Sequence, residues 1–229
     1  MPLIKLEFYS SERILQMIGF IDSFIFNILL LMTILGEFIL PWILKHFYKG
    51  YNSKTMVMSV LGSPESPVRW IYNAWLVWLG AFLLFTSALV FKNNITISNV
   101  LAVLAFISIS TFAVGAGILS GLFSVNESKE KVTISSKIHG VGSAIGFMTL
   151  LFFPLLQCIL AFKSNDMIQG TVCTIAFVLA MLFFVFFIMG DKENFKDTVF
   201  SYEGLWERLS LFFMYVPFLY IAIHNLFVV

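Results

Sequence analysis

Three ionisable side chains in this sequence could carry acid–base chemistry: Glu37, His139 and Glu207. A histidine and a carboxyl group within hydrogen-bond distance can pass a proton between them, which would suit an isomerase or a lipid-modifying enzyme. Two arginines, Arg69 and Arg208, could instead contact a lipid headgroup. The same residue types often serve as structural hydrogen-bond partners at helix ends, so the types alone leave the chemistry open.

These residues belong to a strongly apolar chain. Of its 229 residues 59% are hydrophobic and 12% are charged, and the mean hydropathy is +0.93; soluble domains carry about a quarter charged residues. Six stretches are long enough to cross a bilayer, which takes about 20 apolar residues. They span about residues 14–44, 70–91, 97–122, 138–162, 167–190 and 205–228. The sequence therefore predicts an all-α, polytopic membrane protein, in which residues 1–229 form a single domain, a bundle of six transmembrane helices.

The charge balance and the cysteines narrow the range of partners. The formal net charge is +1 and the chain has no basic cluster, so we do not expect it to bind nucleic acid. Its three histidines are too dispersed for a metal or haem site, and no cofactor is predicted. Cys158 and Cys173 fall inside predicted helices, where we expect small buried hydrophobic side chains rather than a disulfide.

The lysines and arginines predict the orientation of the bundle. With six helices, only Lys5, Arg13, Lys92 and Lys163 fall on the side of the two termini, and the rest of the 14 Lys and Arg fall on the side of loops one, three and five. Basic residues favour the cytoplasmic side of a membrane. We therefore expect a plasma-membrane protein with loops one, three and five in the cytoplasm and both termini outside.

Glycines predict which helices pack closely, and prolines predict where helices bend. Gly117 and Gly121 in helix three, and Gly142 and Gly146 in helix four, have the four-residue spacing that lets helix backbones approach closely. We expect helices three and four to pair through these glycines. Pro154 should bend helix four and Pro217 should bend helix six, because proline lacks the N–H that would bond the carbonyl one turn earlier.

The candidate site lies where polar side chains collect at the predicted inner boundary. Polar groups at membrane depth usually face protein or water and are functional candidates by default. Glu37 is the deepest formal charge, roughly 12 Å above Lys45 along helix one, and could pair with Arg208 or Arg69 or share a proton with His139. Loop one is long enough to fold back against the bundle. The candidate ligand-binding residues are Glu37, Arg69, Asn73, His139, Glu207 and Arg208.

Three short motifs and two single residues fall at this same end of the helices. They are Ser59-x-Leu61-Gly62, Asn73, Gly121-x-Phe123, His139 and Gly204-Leu205-Trp206-Glu207-Arg208. Together they resemble a prokaryotic membrane family, the domain of unknown function number 998, over roughly residues 20–228. The last motif is the most specific part of the resemblance. Membership would imply a six-helix bundle and no particular activity, since the family has none assigned.

Three functions remain open from the sequence. The first is a bundle that binds a membrane lipid, a small amphiphile or a membrane partner at the polar cluster on the cytoplasmic side. The second is a small-solute or proton-coupled transporter with Glu37 as the titrating group. The third is a membrane enzyme acting on a lipid or isoprenoid, with His139 and Glu207 as acid and base. We prefer the first because the sequence contains no recognisable catalytic set; it does not indicate an oligomeric state.

Overall fold

The computed structural model describes residues 24–126 and 132–227. Six helices in these ranges are long and apolar enough to cross a membrane, which confirms the predicted all-α, multi-pass bundle. They are α1 Phe24–Phe47, α2 Arg69–Asn94, α3 Asn99–Leu122, α4 Ile134–Lys163, α5 Met167–Gly190 and α6 Glu203–Phe227. Residues 14–23 of predicted helix one lie outside the described residues. So do Lys5, Arg13, Lys129 and Lys131, on which the orientation in part depends.

The helices form a ring in which chain neighbours are also neighbours in space. Each helix from α2 to α6 packs on the one before it, and α1 closes the ring by packing mainly on α6. Lipid offers no hydrophobic drive for helix association, so close van der Waals packing must hold such a bundle together. The centre accordingly contains large side chains with no exposed surface, among them Ile34, Leu83, Ile109, Tyr215 and Phe218.

Glycines allow α3 to approach two neighbours closely. A Cβ added to Gly117 would lie 2.5 Å from the Cα of Gly80 in α2, and Gly121 also faces the α2 backbone. On the other side of α3, Gly115 meets Gly142 of α4. The predicted pairing of helices three and four is therefore confirmed, but the prediction that Gly117 and Gly121 form it was wrong. Glycine spacing indicates a close approach without saying which helix supplies the other side.

The change of neighbour along α3 coincides with a π-helical turn at Ala113–Leu119. A π turn contains more residues than an α-helical turn, so the side chains that follow it point in different directions from those of a regular helix. Gly115 can therefore face α4 while Gly117 faces α2. A purely α-helical reading of the spacing could not anticipate this.

Helix α4 is broken at its middle. Its first segment ends at Leu150 and its second begins at Phe153, with Pro154 in the first turn of the second segment. The predicted bend at Pro154 is thus confirmed, whereas α6 continues through Pro217 as one helix from Glu203 to Phe227. The first segment packs mainly on α3, whereas the second packs on α5. The first segment of α4 therefore diverges from the end of α5, and the rings of Phe147 and Phe187 lie across the gap with their centres 6.4 Å apart.

Loop one folds back against the bundle, as expected from its length. It forms a short 3-10 helix, Met58–Gly62, in which Met58 and Leu61 are buried. This segment contacts α1, α2 and α6. It closes the end of the bundle at which loops one, three and five lie, and we call this the loop-one end.

Candidate ligand-binding site

The first turns of α6 hold loop one in place. Gly204 lies so close to the carbonyl of Met56 that any Cβ at this position would overlap it. The backbone N–H of Met58 donates a hydrogen bond to the Glu207 carboxylate at 2.7 Å. Glycine and glutamate of the most specific motif therefore both serve the attachment of loop one.

Arg208 adds four hydrogen bonds at the same place. Its guanidinium donates to the carbonyls of Ser53 at 2.9 Å, Met56 at 3.3 Å and Gly204 at 2.5 Å. It also donates to the hydroxyl of Tyr51 at 2.5 Å. Burial raises the pKa of Tyr51 to about 12, even though the nearby guanidinium acts in the opposite direction. Arg208 is thus engaged by acceptors of the protein itself.

A second set of bonds joins loop one to α2, α3 and α4. The side-chain amide of Asn73 donates to the carbonyl of Gly62 at 3.2 Å and to the hydroxyl of Ser124 at 3.1 Å. The Nδ1 of His139 lies 3.0 Å from the carbonyl of Phe123. Because a carbonyl only accepts, this hydrogen bond requires the proton on Nδ1. The motifs noted in the sequence therefore meet in one hydrogen-bonded layer at the loop-one end.

A cavity of about 320 Å³ lies beneath this layer. Glu37, His139 and Glu207 all line it, so the structure brings three of the six predicted site residues together. The buried Tyr72 is a further polar member of its wall. An apolar pocket with a few convergent polar groups is typical of a small-molecule site. Its apolar walls include Leu79, Phe112, Phe147, Phe187 and Leu211.

Glu37 lies at the polar head of the cavity and is 3% exposed. Its carboxylate accepts a hydrogen bond from the indole N–H of Trp75 at 2.6 Å. Gly36 makes room for this indole, because a Cβ there would lie 2.5 Å from the ring. Glu207 and Arg208 are both close enough to Glu37 to interact with it electrostatically. Glu203 also lines the cavity. The cavity therefore contains three carboxyl groups, while the guanidinium of Arg208 is bonded to loop one.

Glu207 and His139 face the same cavity without forming a proton-transfer pair. Within the described part of the chain no hydrogen bond joins His139 to Glu207 or to Glu37. Each of the three groups bonds instead to a different part of the protein frame. A ligand in the cavity could form hydrogen bonds with all three groups. The arrangement therefore suits binding of a polar group rather than proton transfer between His139 and a carboxyl group.

The cavity opens sideways between α4 and α5. Ala144 and Met148 of α4 and Ile188 of α5 line it and are exposed on the outer surface of the bundle. This is the gap left by the divergence of the first segment of α4 from α5. An opening in the membrane-facing surface lets an apolar chain enter from lipid without exposure to water.

The other three predicted residues lie outside the cavity wall. The guanidinium of Arg69 is 4.9 Å from the ring centre of Trp70 at the start of α2. Asn73 and Arg208 bond to loop one and to neighbouring backbone. The structure therefore divides the six residues into three that line the cavity, two that bond to loop one, and Arg69, which packs on the Trp70 ring. A ligand contact by Arg69, Asn73 or Arg208 stays a prediction.

Several polar partners were not anticipated from the sequence. Tyr51, Tyr72 and Trp75 all lie at the loop-one end. For Trp75 a signal was available, because Gly36 beside the deepest acid indicates space for a large neighbouring side chain. Nothing local to Tyr51 indicates its bond, since its partner is 157 positions away in the chain.

Fold and site together define a multi-pass membrane protein with a laterally open, partly acidic cavity at one end. Residues 24–126 and 132–227 contain no group of three or more His, Cys, Asp or Glu that could hold a metal ion. A family described as protein of unknown function (DUF998) matches residues 34–224. This covers most of the chain, so the protein belongs to that family, and the resemblance drawn from the motifs is confirmed. No curated protein and no solved structure matches the sequence.

Proposed function

We propose that this membrane protein binds a lipid or small amphiphile in the cavity at the loop-one end. The observation that carries the proposal is the shape of the cavity, with apolar walls, an acidic head and a lateral opening between α4 and α5. Its volume lies near the lower end of the range for small-molecule sites, about 300–1,000 Å³. A single acyl or isoprenoid chain would fit this space better than a lipid with two chains.

The head of the cavity favours a ligand whose polar group donates hydrogen bonds. Glu37 and Glu207 offer carboxyl oxygens as acceptors, and Arg208 is already bonded to loop one. A hydroxyl or amine group can donate to such oxygens. A phosphate headgroup would instead bring further acceptor oxygens to a site whose arginine, Arg208, is already bonded. The preferred ligand is therefore a neutral or amine-bearing amphiphile. Under the predicted topology it would enter from the cytoplasmic leaflet.

Native mass spectrometry of the protein in a mild detergent tests this function. The wild type should carry an adduct of defined mass. Ala144→Phe, which narrows the opening, should remove the adduct. Val141→Phe is the matched control, because Val141 lies on the same helix, is 61% exposed and does not line the cavity. A wild type without an adduct, or an adduct kept by Ala144→Phe, would contradict the proposal.

A small-solute or proton-coupled transporter is the second candidate, favoured by a second cavity in the same bundle. This cavity, of about 200 Å³, lies at the opposite end. Ile34, Leu83 and Tyr215 lie between the two cavities and are completely buried. Flux of protons or solute into reconstituted vesicles should then depend on pH and be abolished by Glu37→Gln. Flux that is unchanged in this variant would remove Glu37 from the mechanism.

A further inference from the structure

The second cavity has a different chemical character from the first. It lies inside the bundle between the ends of α2, α4 and α6 that are remote from loop one. Side-chain amides dominate its polar lining, and none of its described lining residues is Lys or Arg. The amide side chains in the wall are Asn93, Asn94, Gln157, Gln169 and Asn225.

Gln157 supplies the observation that points to a ligand. Its side chain is 2% exposed, and its Nε2 has no hydrogen-bond partner. A buried donor without a partner destabilises a protein, and native structures contain few of them. Gln157 lines the cavity together with apolar residues such as Leu30 and Phe218. An acceptor group of a ligand in the cavity would satisfy this donor.

The other residues that line the cavity indicate which kind of ligand group could bind there. Asp166 is the only carboxylate among the described lining residues, and it already accepts hydrogen bonds from the backbone N–H of Gln169 at 2.9 Å and the hydroxyl of Tyr220 at 3.4 Å. Tyr220 and His224 stack with their ring centres 5.8 Å apart. The described wall therefore offers no lysine or arginine to an anionic ligand. Amide groups both donate and accept, which matches hydroxyl groups.

We infer that this cavity binds a neutral polyhydroxy group about the size of one sugar ring. A volume of about 200 Å³ equals roughly six or seven water molecules at about 30 Å³ each, which is space for one sugar ring. The group is either a free sugar or polyol, or the headgroup of a glycolipid. This site is separate from the cavity that contains Glu37, so it does not depend on the function proposed above.

Binding experiments on the full chain test the inference. The protein is purified in lauryldimethylamine oxide, which has no sugar headgroup, and titrated calorimetrically with glucose, myo-inositol and octyl glucoside. At least one probe should bind with saturation, and Gln157→Met should weaken that binding at least tenfold. Val141→Phe, at an exposed position that lines neither of these two cavities, should bind like the wild type. Binding of octyl glucoside alone that Gln157→Met weakens assigns the group to a glycolipid, whereas such binding of glucose or myo-inositol assigns it to a free solute.

The melting temperature separates ligand binding from a structural role of Gln157. Methionine has a similar length and no donor, so the variant without ligand should melt at a higher temperature than the wild type. It should also lose the rise in melting temperature that the bound probe produces. The inference is overturned if none of the three probes binds with saturation. It is equally overturned if Gln157→Met binds the probe as tightly as the wild type.

Discussion

Replacing Arg208 with alanine should release loop one from the bundle while the six helices stay folded. Arg208 donates to the carbonyls of Ser53 and Met56 and to the hydroxyl of Tyr51. A hydrogen bond that involves a charged group contributes about 1.5–3 kcal/mol. The three bonds share one guanidinium, so their contributions do not add fully. The side chain of Arg208 is 18% exposed, and contact with solvent reduces the contribution of these bonds further. We expect a loss of about 3–4 kcal/mol in the attachment of loop one.

Hydrogen exchange followed by mass spectrometry measures this attachment. The backbone N–H groups of Val60 and Ser63 bond within loop one and should exchange slowly in the wild type. A loss of 3–4 kcal/mol corresponds to roughly 10²–10³-fold faster exchange. Arg208→Lys should show a smaller increase, because an ammonium keeps the charge but not the forked geometry.

The control for this experiment is Lys196→Ala. Lys196 forms an ion pair with Glu193 in which both side chains are largely exposed, so its removal should leave exchange in loop one unchanged. If loop one exchanges as slowly in Arg208→Ala as in the wild type, Arg208 does not hold it. If the helices also lose protection in that variant, Arg208 supports the whole bundle and not loop one in particular.

Two further predictions concern pH and helix packing. The pKa of Tyr51 is raised to about 12, above its ordinary value of about 10. Its neutral hydroxyl therefore stabilises the folded protein fully below pH 10, and this contribution is lost as the pH rises toward 12. The melting temperature should fall over this pH range, and less in Tyr51→Phe; parallel pH profiles would exclude Tyr51 as the cause. Gly117→Ala should destabilise the bundle by about 1–3 kcal/mol in detergent titrations, because its Cβ would meet Gly80 of α2. Gly140→Ala has open space around it and should stabilise α4 by up to about 1 kcal/mol; equal effects of the two changes would contradict the close contact.

The helices were predictable because each is determined locally. A transmembrane segment must satisfy its backbone hydrogen bonds internally, so about 20 apolar residues in a row are enough to specify a helix. The break in α4 was also predictable, since Pro154 acts on its own helix. The partner of Gly117 was not, because the other half of that contact, Gly80, lies in a different helix.

The candidate site shows the same division. That Glu37, His139 and Glu207 lie toward one end of the bundle follows from their positions along their helices. That they line one cavity depends on the rotation of each helix about its axis, which the depth of a residue does not determine. The engagement of Arg208 by loop one and the hydrogen bond from Trp75 to Glu37 required the folded chain.

Hydropathy summed over single segments was thus sufficient for the membrane class and the six helices, and short motifs were sufficient for the family. Only the tertiary structure decided which polar groups share a cavity, which of them hold loop one, and that Gln157 has an unpaired donor at the opposite end. The physical reason is that a hydrogen bond depends on the positions of two groups. Here these groups come from segments far apart in the chain, such as Arg208 and Tyr51.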